Sequence, residues 1–186
     1  MTQAIATTPA GCVQLGSPAL IHLRRSLERV SGAHAATLLR EAGFASGEAM
    51  YRALCARVTA HYGLHRPQDL DAHHLALALR EFWTATGWGT AGLTTLGPGV
   101  MALDAREWAE AAEGREEYPS CHFSSGMLAD LFTRLGGIQA AVMEVECRTR
   151  GDDRCRFLVS SPALLTALYQ RMTRGEGYQA AVDSLA

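Results

Sequence analysis

The chain has no excess of positive charge: 17 Lys and Arg stand against 19 Asp and Glu, a formal net charge of −2. Non-specific attraction to a nucleic-acid backbone runs on surplus cations, so direct nucleic-acid binding is not expected. No apolar run approaches the roughly 20 residues of a membrane span; the stretch Ala72 to Leu79 is interrupted by His73 and His74. The first residues, Met1-Thr2-Gln3-Ala4-Ile5, carry neither the basic nor the apolar region of a secretory signal, which implies a cytoplasmic, reducing location. The cysteine number is not even: Cys12, Cys55, Cys121, Cys147 and Cys155 cannot all pair within one chain, so they read as thiols or metal ligands. Gly87-Trp88-Gly89 and Gly97-Pro98-Gly99 lack the strand-to-helix context of a dinucleotide fingerprint, and no nicotinamide site is expected. There is no internal repeat and no βαβ alternation.

What is present suffices for a core. The 186 residues are 48% hydrophobic and 19% charged, the composition of one globular domain. Residues 1–16 are small, polar and aperiodic and read as a mobile arm, residues 17–175 as a single domain, and the Gly-rich end, 176–186, as a flexible tail.

Ser17-Pro18 starts a helix, with Leu20, Leu23, Leu27 and Val30 at helical spacing and a stop near Ser31-Gly32. A short helix from His34 to Glu41 ends at Gly43, and Ser46 caps a third whose stripe is Met50, Leu54 and Val58. Asp69 or Asp71 opens a helix presenting Leu75, Leu79, Phe82 and Trp83. From Trp88 to Leu103 two strands flank the Gly97-Pro98-Gly99 turn, and Ala105 to Ala112 form a short helix. Phe123, Met127, Leu131 and Leu135 mark a helix stopped by Gly136-Gly137. Ile138 to Cys147 and Cys155 to Ser160 form a β-hairpin around Gly151-Asp152, and Ser161-Pro162 opens the last helix. The fold class is α+β.

That hairpin is symmetric about Gly151, so Cys147 and Cys155 oppose one another on one face. Cys121 begins a helix, where backbone N–H groups favour a thiolate. Three soft ligands suggest zinc, completed by a carboxylate or an imidazole. In a regular pleat Glu144 and Glu146 point away from Cys147, so either needs a bulge or a twist to join it; His122, beside Cys121, is an alternative. Cys12 and Cys55 read as incidental or core residues.

Pro119-Ser120-Cys121, Gly126, Glu144-Val145-Glu146-Cys147, Gly151-Asp152 and Cys155-Arg156-Phe157 together resemble the 4-vinyl reductase domain, over about residues 90 to 165. The resemblance implies a fold like that of TRAPP trafficking-complex subunits. Domains of this family occur in aromatic-responsive bacterial activators and in bacteriochlorophyll 4-vinyl reductase-type proteins. By the resemblance, three cysteines and a glutamate carry over as zinc ligands: Cys121, Cys147, Cys155 and Glu144. It also implies a pocket, for which His73, His74, Phe82, Trp83, Trp108, Phe123 and Met127 are the ligand-binding candidates, with Trp88, Tyr118 and Phe132 in support. The tryptophan that holds the phenolic oxygen in phenol sensors falls here in the apolar or small stretch Val100 to Asp104.

Only about 25 residues follow the start of the last helix at Ser161, too few for an ATPase or DNA-binding domain. The expectation is a zinc-containing homodimer that binds a hydrophobic, aromatic or tetrapyrrole small molecule as a sensor, non-enzymatic in emphasis. The alternative is a bacteriochlorophyll-pathway 4-vinyl reductase or its tetrapyrrole-binding accessory protein. A third reading is a structural adaptor.

Overall fold

The computed structural model describes residues 11–112, 114 and 116–185. Pro18 in its first turn starts α1 (Ser17–Ser31), and a 3-10 turn leads into α2 (Ala35–Tyr62). The second and third helices expected from sequence are therefore one helix of 28 residues. Gly43 does not end it, and the Ser46 hydroxyl, rather than capping, donates to the Gly43 carbonyl at 2.6 Å. Gly43 serves a close helix contact instead. A Cβ there would lie 2.0 Å from the Phe123 carbonyl oxygen, and one on Gly126 would lie 1.9 Å from that of Arg40. Only glycine lets α2 and α4 (His122–Gly136) cross with their backbones touching.

Asp71 caps α3 (Ala72–Ala85) by accepting from the His74 N–H at 2.9 Å. Then come β1 (Gly89–Gly97) and β2 (Val100–Trp108), paired antiparallel around the Pro98 turn. The short helix expected from Ala105 is a correction: Ala105 to Trp108 continue β2, with Ala105 paired to Cys155, because strand pairing on both sides outweighs helix propensity. After α4 follow β3 (Ala141–Glu146), a 3-10 turn at Arg148–Arg150, and β4 (Cys155–Ser160). All pairings are antiparallel, in the order β1-β2-β4-β3. Ser161 caps α5 (Pro162–Met172). Within the expected tail lies a further helix, α6 (Tyr178–Asp183), whose Ala181 and Val182 are buried against the sheet. Residues 1–10 of the expected arm lie outside the described residues, and Cys12 packs against α2 with its thiol 3.9 Å from the Ala49 carbonyl.

The sheet divides two cores. Leu103, Ala105, Cys155, Phe157 and Val159 face α2, α3 and α4, while Val100, Ala102 and Leu158 face α5 and α6. Alternating residues of β2 and β4 thus serve opposite layers, and every residue of β4 is buried. The α+β class holds. Among the described residues no helix is long and apolar enough to cross a membrane.

Candidate metal centre

Three elements converge where α4 begins. Cys121 is the N-cap of α4, Cys147 follows the end of β3, and Cys155 starts β4 opposite it. All three are fully buried. The Cys121 sulfur lies 3.8 Å from that of Cys147 and 3.9 Å from that of Cys155.

Glu144 joins them through a bulge. Glu144 pairs with Phe157 and Glu146 with Arg156, so three residues of β3 face two of β4. The extra residue turns Glu144 to the side of Cys147, which a regular pleat would not do. Ligand atoms of Cys121, Glu144, Cys147 and Cys155 all lie within 4.8 Å of one another, a group that could hold a metal ion. Glu144 Oε2 accepts the Cys121 N–H at 2.8 Å, whereas Oε1 is buried without a partner. Glu146 stays on the opposite face, where it pairs with Arg154 at 2.7 Å and accepts the Tyr178 hydroxyl. His122 is outside the cluster; burial, together with Arg40 and Arg24, lowers its pKa to about 4.

Asp152, expected from sequence only as turn chemistry, fixes the cysteine backbone: its Oδ2 accepts the Cys147 N–H at 2.7 Å. Three sulfurs this close cannot all carry charge unaided. Hydrogen bonds from the neighbouring thiols draw the Cys147 pKa down, while the Cys121 and Cys155 pKa values are raised, that of Cys121 first by its bond to Cys147. Burial, then the charge on Cys147, pushes Glu144 well above the carboxylate range. Such a site concentrates potential negative charge that a cation releases as protons.

Glu110, which carried no signal in a segment read as helix, accepts the N–H groups of Phe123 at 3.0 Å and Ser124 at 2.7 Å, and the Ser124 hydroxyl. It anchors the first turn of α4. Trp108 Nε1 donates to the same hydroxyl oxygen at 2.7 Å.

The proposed pocket residues fall in two places. His73 and His74 are exposed at the start of α3, with His74 Nδ1 2.8 Å from Asp71. Phe82, Trp83, Trp108 and Met127 are buried in the helix-side core. Phe123 is half-buried and stacks on Trp88, ring centres 6.1 Å apart. Tyr118 is exposed. An apolar cleft of about 260 Å³ opens instead beside this core, lined by Leu75, Leu93, Met101, Phe132, Leu135 and Ile138 among others. Of the residues named from sequence only the supporting Phe132 lines it; Leu75, Leu93, Met101 and Leu135 pack against the cluster that holds Phe82, Trp83 and Met127. At its edge the Ser160 hydroxyl donates to the Gly99 carbonyl at 2.6 Å and the Ser161 hydroxyl is taken up in capping α5.

Known proteins share this arrangement. The chain is 31% identical over 136 residues to the bacteriochlorophyll synthase 23 kDa chain of Cereibacter sphaeroides, covering 73% of this chain and 65% of the relative, so it spans a little under two thirds of that protein's length. The phenol-responsive sensory domain of the transcription activator PoxR, solved with phenol, superposes with a TM-score of 0.59 at 20% identity, over 81% of this chain and 76% of that one. Trafficking protein particle complex subunit 3 from Naegleria fowleri, covalently bound to palmitic acid, gives 0.51 at 14% identity, over 77% and 95%. These two likenesses establish the fold, and it is the one expected from sequence. Residues 101–161, which carry every member of the cysteine and glutamate cluster, match the 4-vinyl reductase domain and, with the bacteriochlorophyll relative, place the chain in that family.

Proposed function

We propose that the chain is a zinc-containing small-molecule-binding or sensor domain, acting in the cytoplasm as a homodimer. The observation that carries the metal assignment is the sulfur spacing. Zinc–sulfur bonds of about 2.3 Å set tetrahedral edges of about 3.8 Å, against 3.8 and 3.9 Å measured from Cys121. The unpartnered Glu144 Oε1 supplies the fourth donor. Zinc bound there would act as a structural cross-link, since three thiolates and a carboxylate leave no position for a water nucleophile. Cys121 ties α4 to the hairpin, Cys147 and Cys155 clamp the hairpin's open end, and Asp152 holds Cys147 in place.

The ligand enters the cleft between α3, the sheet and the C-terminal end of α4. A cleft of 260 Å³ lies below the usual range for drug-sized ligands and suits a single ring or a short chain. That favours a small aromatic or hydrocarbon molecule, with Phe82, Trp83, Trp108, Phe123 and Met127 packed behind it as the aromatic wall and His73 and His74 outside. The phenol in the related sensory domain supports this reading by fold. The alternative, a tetrapyrrole-pathway protein, rests on the bacteriochlorophyll relative; there a macrocycle would lie across the exposed Ile138 rim and insert only an edge. Exposed Leu23, Val30, Leu38 and Phe44 on α1 and α2 supply the apolar surface for a dimer.

Native mass spectrometry of untagged protein, prepared without chelator, tests the assignment: a dimer with one zinc per chain is expected. A metal-free spectrum with reduced thiols would remove the zinc sensor and leave the adaptor reading. Tryptophan fluorescence then separates the ligands. Small aromatics should quench it saturably, whereas a red-shifted porphyrin Soret band saturating per dimer would move the assignment to tetrapyrroles.

A further inference from the structure

Arg24 is fully buried although most of α1 is exposed. Its Nη1 makes only a long contact with Glu28, at 3.5 Å, and its Nε and Nη2 are buried with no partner at all. Those two atoms form the side edge of the guanidinium, two parallel N–H groups spaced for the two oxygens of one carboxylate or phosphate. A guanidinium does not relieve its burial by losing a proton, so the open edge calls for an acceptor.

The head of Arg24 lies beside the first turn of α4, since its charge acts on both Glu110 and His122. Glu110 is not the acceptor. Its oxygens are taken by the Phe123 and Ser124 N–H groups and the Ser124 hydroxyl, and among the described residues it makes no ion pair with Arg24. Burial pushes the Glu110 carboxyl up to about 7, so near neutral pH it offsets the neighbouring cations only in part. Arg40, on α2, adds a second positive charge at the same place.

We propose that an oxyanion, the carboxylate or phosphate group of a small ligand, binds between α1 and the N-terminus of α4, held side-on by the Nε and Nη2 edge of Arg24. The place is separate from the apolar cleft. Phe132 and Leu135 line that cleft at the other end of α4, about 20 Å along a helix of 15 residues. It is also independent of the zinc assignment, because none of the four cluster residues contributes to it. A chain with both sites would take two ligands of opposite character, one apolar and one anionic.

The test is a titration of the intact chain, as purified with its metal, with sodium acetate and separately with inorganic phosphate, chloride holding ionic strength constant. Tryptophan fluorescence reports, since Trp88 stacks on Phe123 in the first turn of α4. A saturable response to acetate alone assigns a carboxylate ligand, to phosphate alone a phosphoryl ligand, and to both the shared oxyanion chemistry. Arg24→Lys keeps the charge and loses the planar edge, so binding should weaken about tenfold or more. Arg24→Met should abolish it with circular dichroism and metal content unchanged. No saturable response in the wild type, or equal affinity in wild type and Arg24→Lys, overturns the proposal; should Arg24→Met fail to fold, the lysine variant decides alone. Metal content and aromatic binding measured on the same samples keep this result separate from that of the zinc sensor.

Discussion

The backbone N–H of Cys121 donates to Glu144 Oε2 at 2.8 Å, which fastens the first turn of α4 to the bulge of β3 before any ion is considered. The second oxygen, Oε1, is left for the cluster. Glu144→Gln preserves an acceptor for the N–H and removes the charge, so it should keep the fold and lower zinc affinity by about tenfold or more. Competition with a chromophoric chelator measures this; unchanged affinity would exclude Glu144 from the metal.

Cys147→Ser removes a sulfur from the centre of the cluster and leaves a buried hydroxyl beside two thiols. Zinc should be lost and Tm should fall by about 10 °C or more. Cys12→Ser, on the surface of α2, should change neither. Equal Tm values for the two variants in a thermal melt would argue against a structural metal.

Gly43→Ala forces a methyl group into the Phe123 carbonyl and should cost about 1–3 kcal/mol or more, read from urea denaturation. Gly92→Ala is the matched control, because a Cβ there meets nothing within 4 Å.

Glu110 gives a pH dependence of known sign. Its folded pKa is about 7, above the usual 4.5, so between those values the folded state holds the extra proton. The unfolded state binds fewer protons there, and stability falls as pH rises through this window, by up to about 3 kcal/mol, with no further loss once both states are ionised. Arg24, Ser124 and the Phe123 N–H face the carboxyl and limit the rise. Wild type should therefore lose stability from pH 6 to 8 relative to Glu110→Gln; parallel curves would contradict the assignment.

Leu93→Trp fills the apolar cleft. Binding of small aromatics should weaken about tenfold or more while zinc content holds. Retained binding would place the ligand elsewhere.

Local chemistry made much of this legible from sequence. Asp71 and Ser161-Pro162 open the helices they were expected to open, Gly97-Pro98-Gly99 turns one hairpin, and the symmetry about Gly151 brings Cys147 opposite Cys155. Features set by distant partners were not legible. Gly43 looks like a helix stop because glycine usually is one, and its reason for being there, the Phe123 carbonyl, is 80 residues away in the chain. Ala105 to Trp108 have helix-compatible residues but two strands claim them. The bulge that turns Glu144 inward leaves no mark in composition, although the need for it did follow from the pleat. Arg24 and Glu110 are buried ions, which residue type alone assigns to the surface.

The strand order β1-β2-β4-β3 also sets a schedule for biosynthesis. β4 is last in sequence yet inner in the sheet, so a nascent chain that ends before residue 155 exposes the inner edge of β2 and of β3 together and lacks the third sulfur. Sheet closure and metal capture therefore become possible in the same final stretch of synthesis, and until then the emerging chain carries two sticky strand edges that a chaperone or a protease can read.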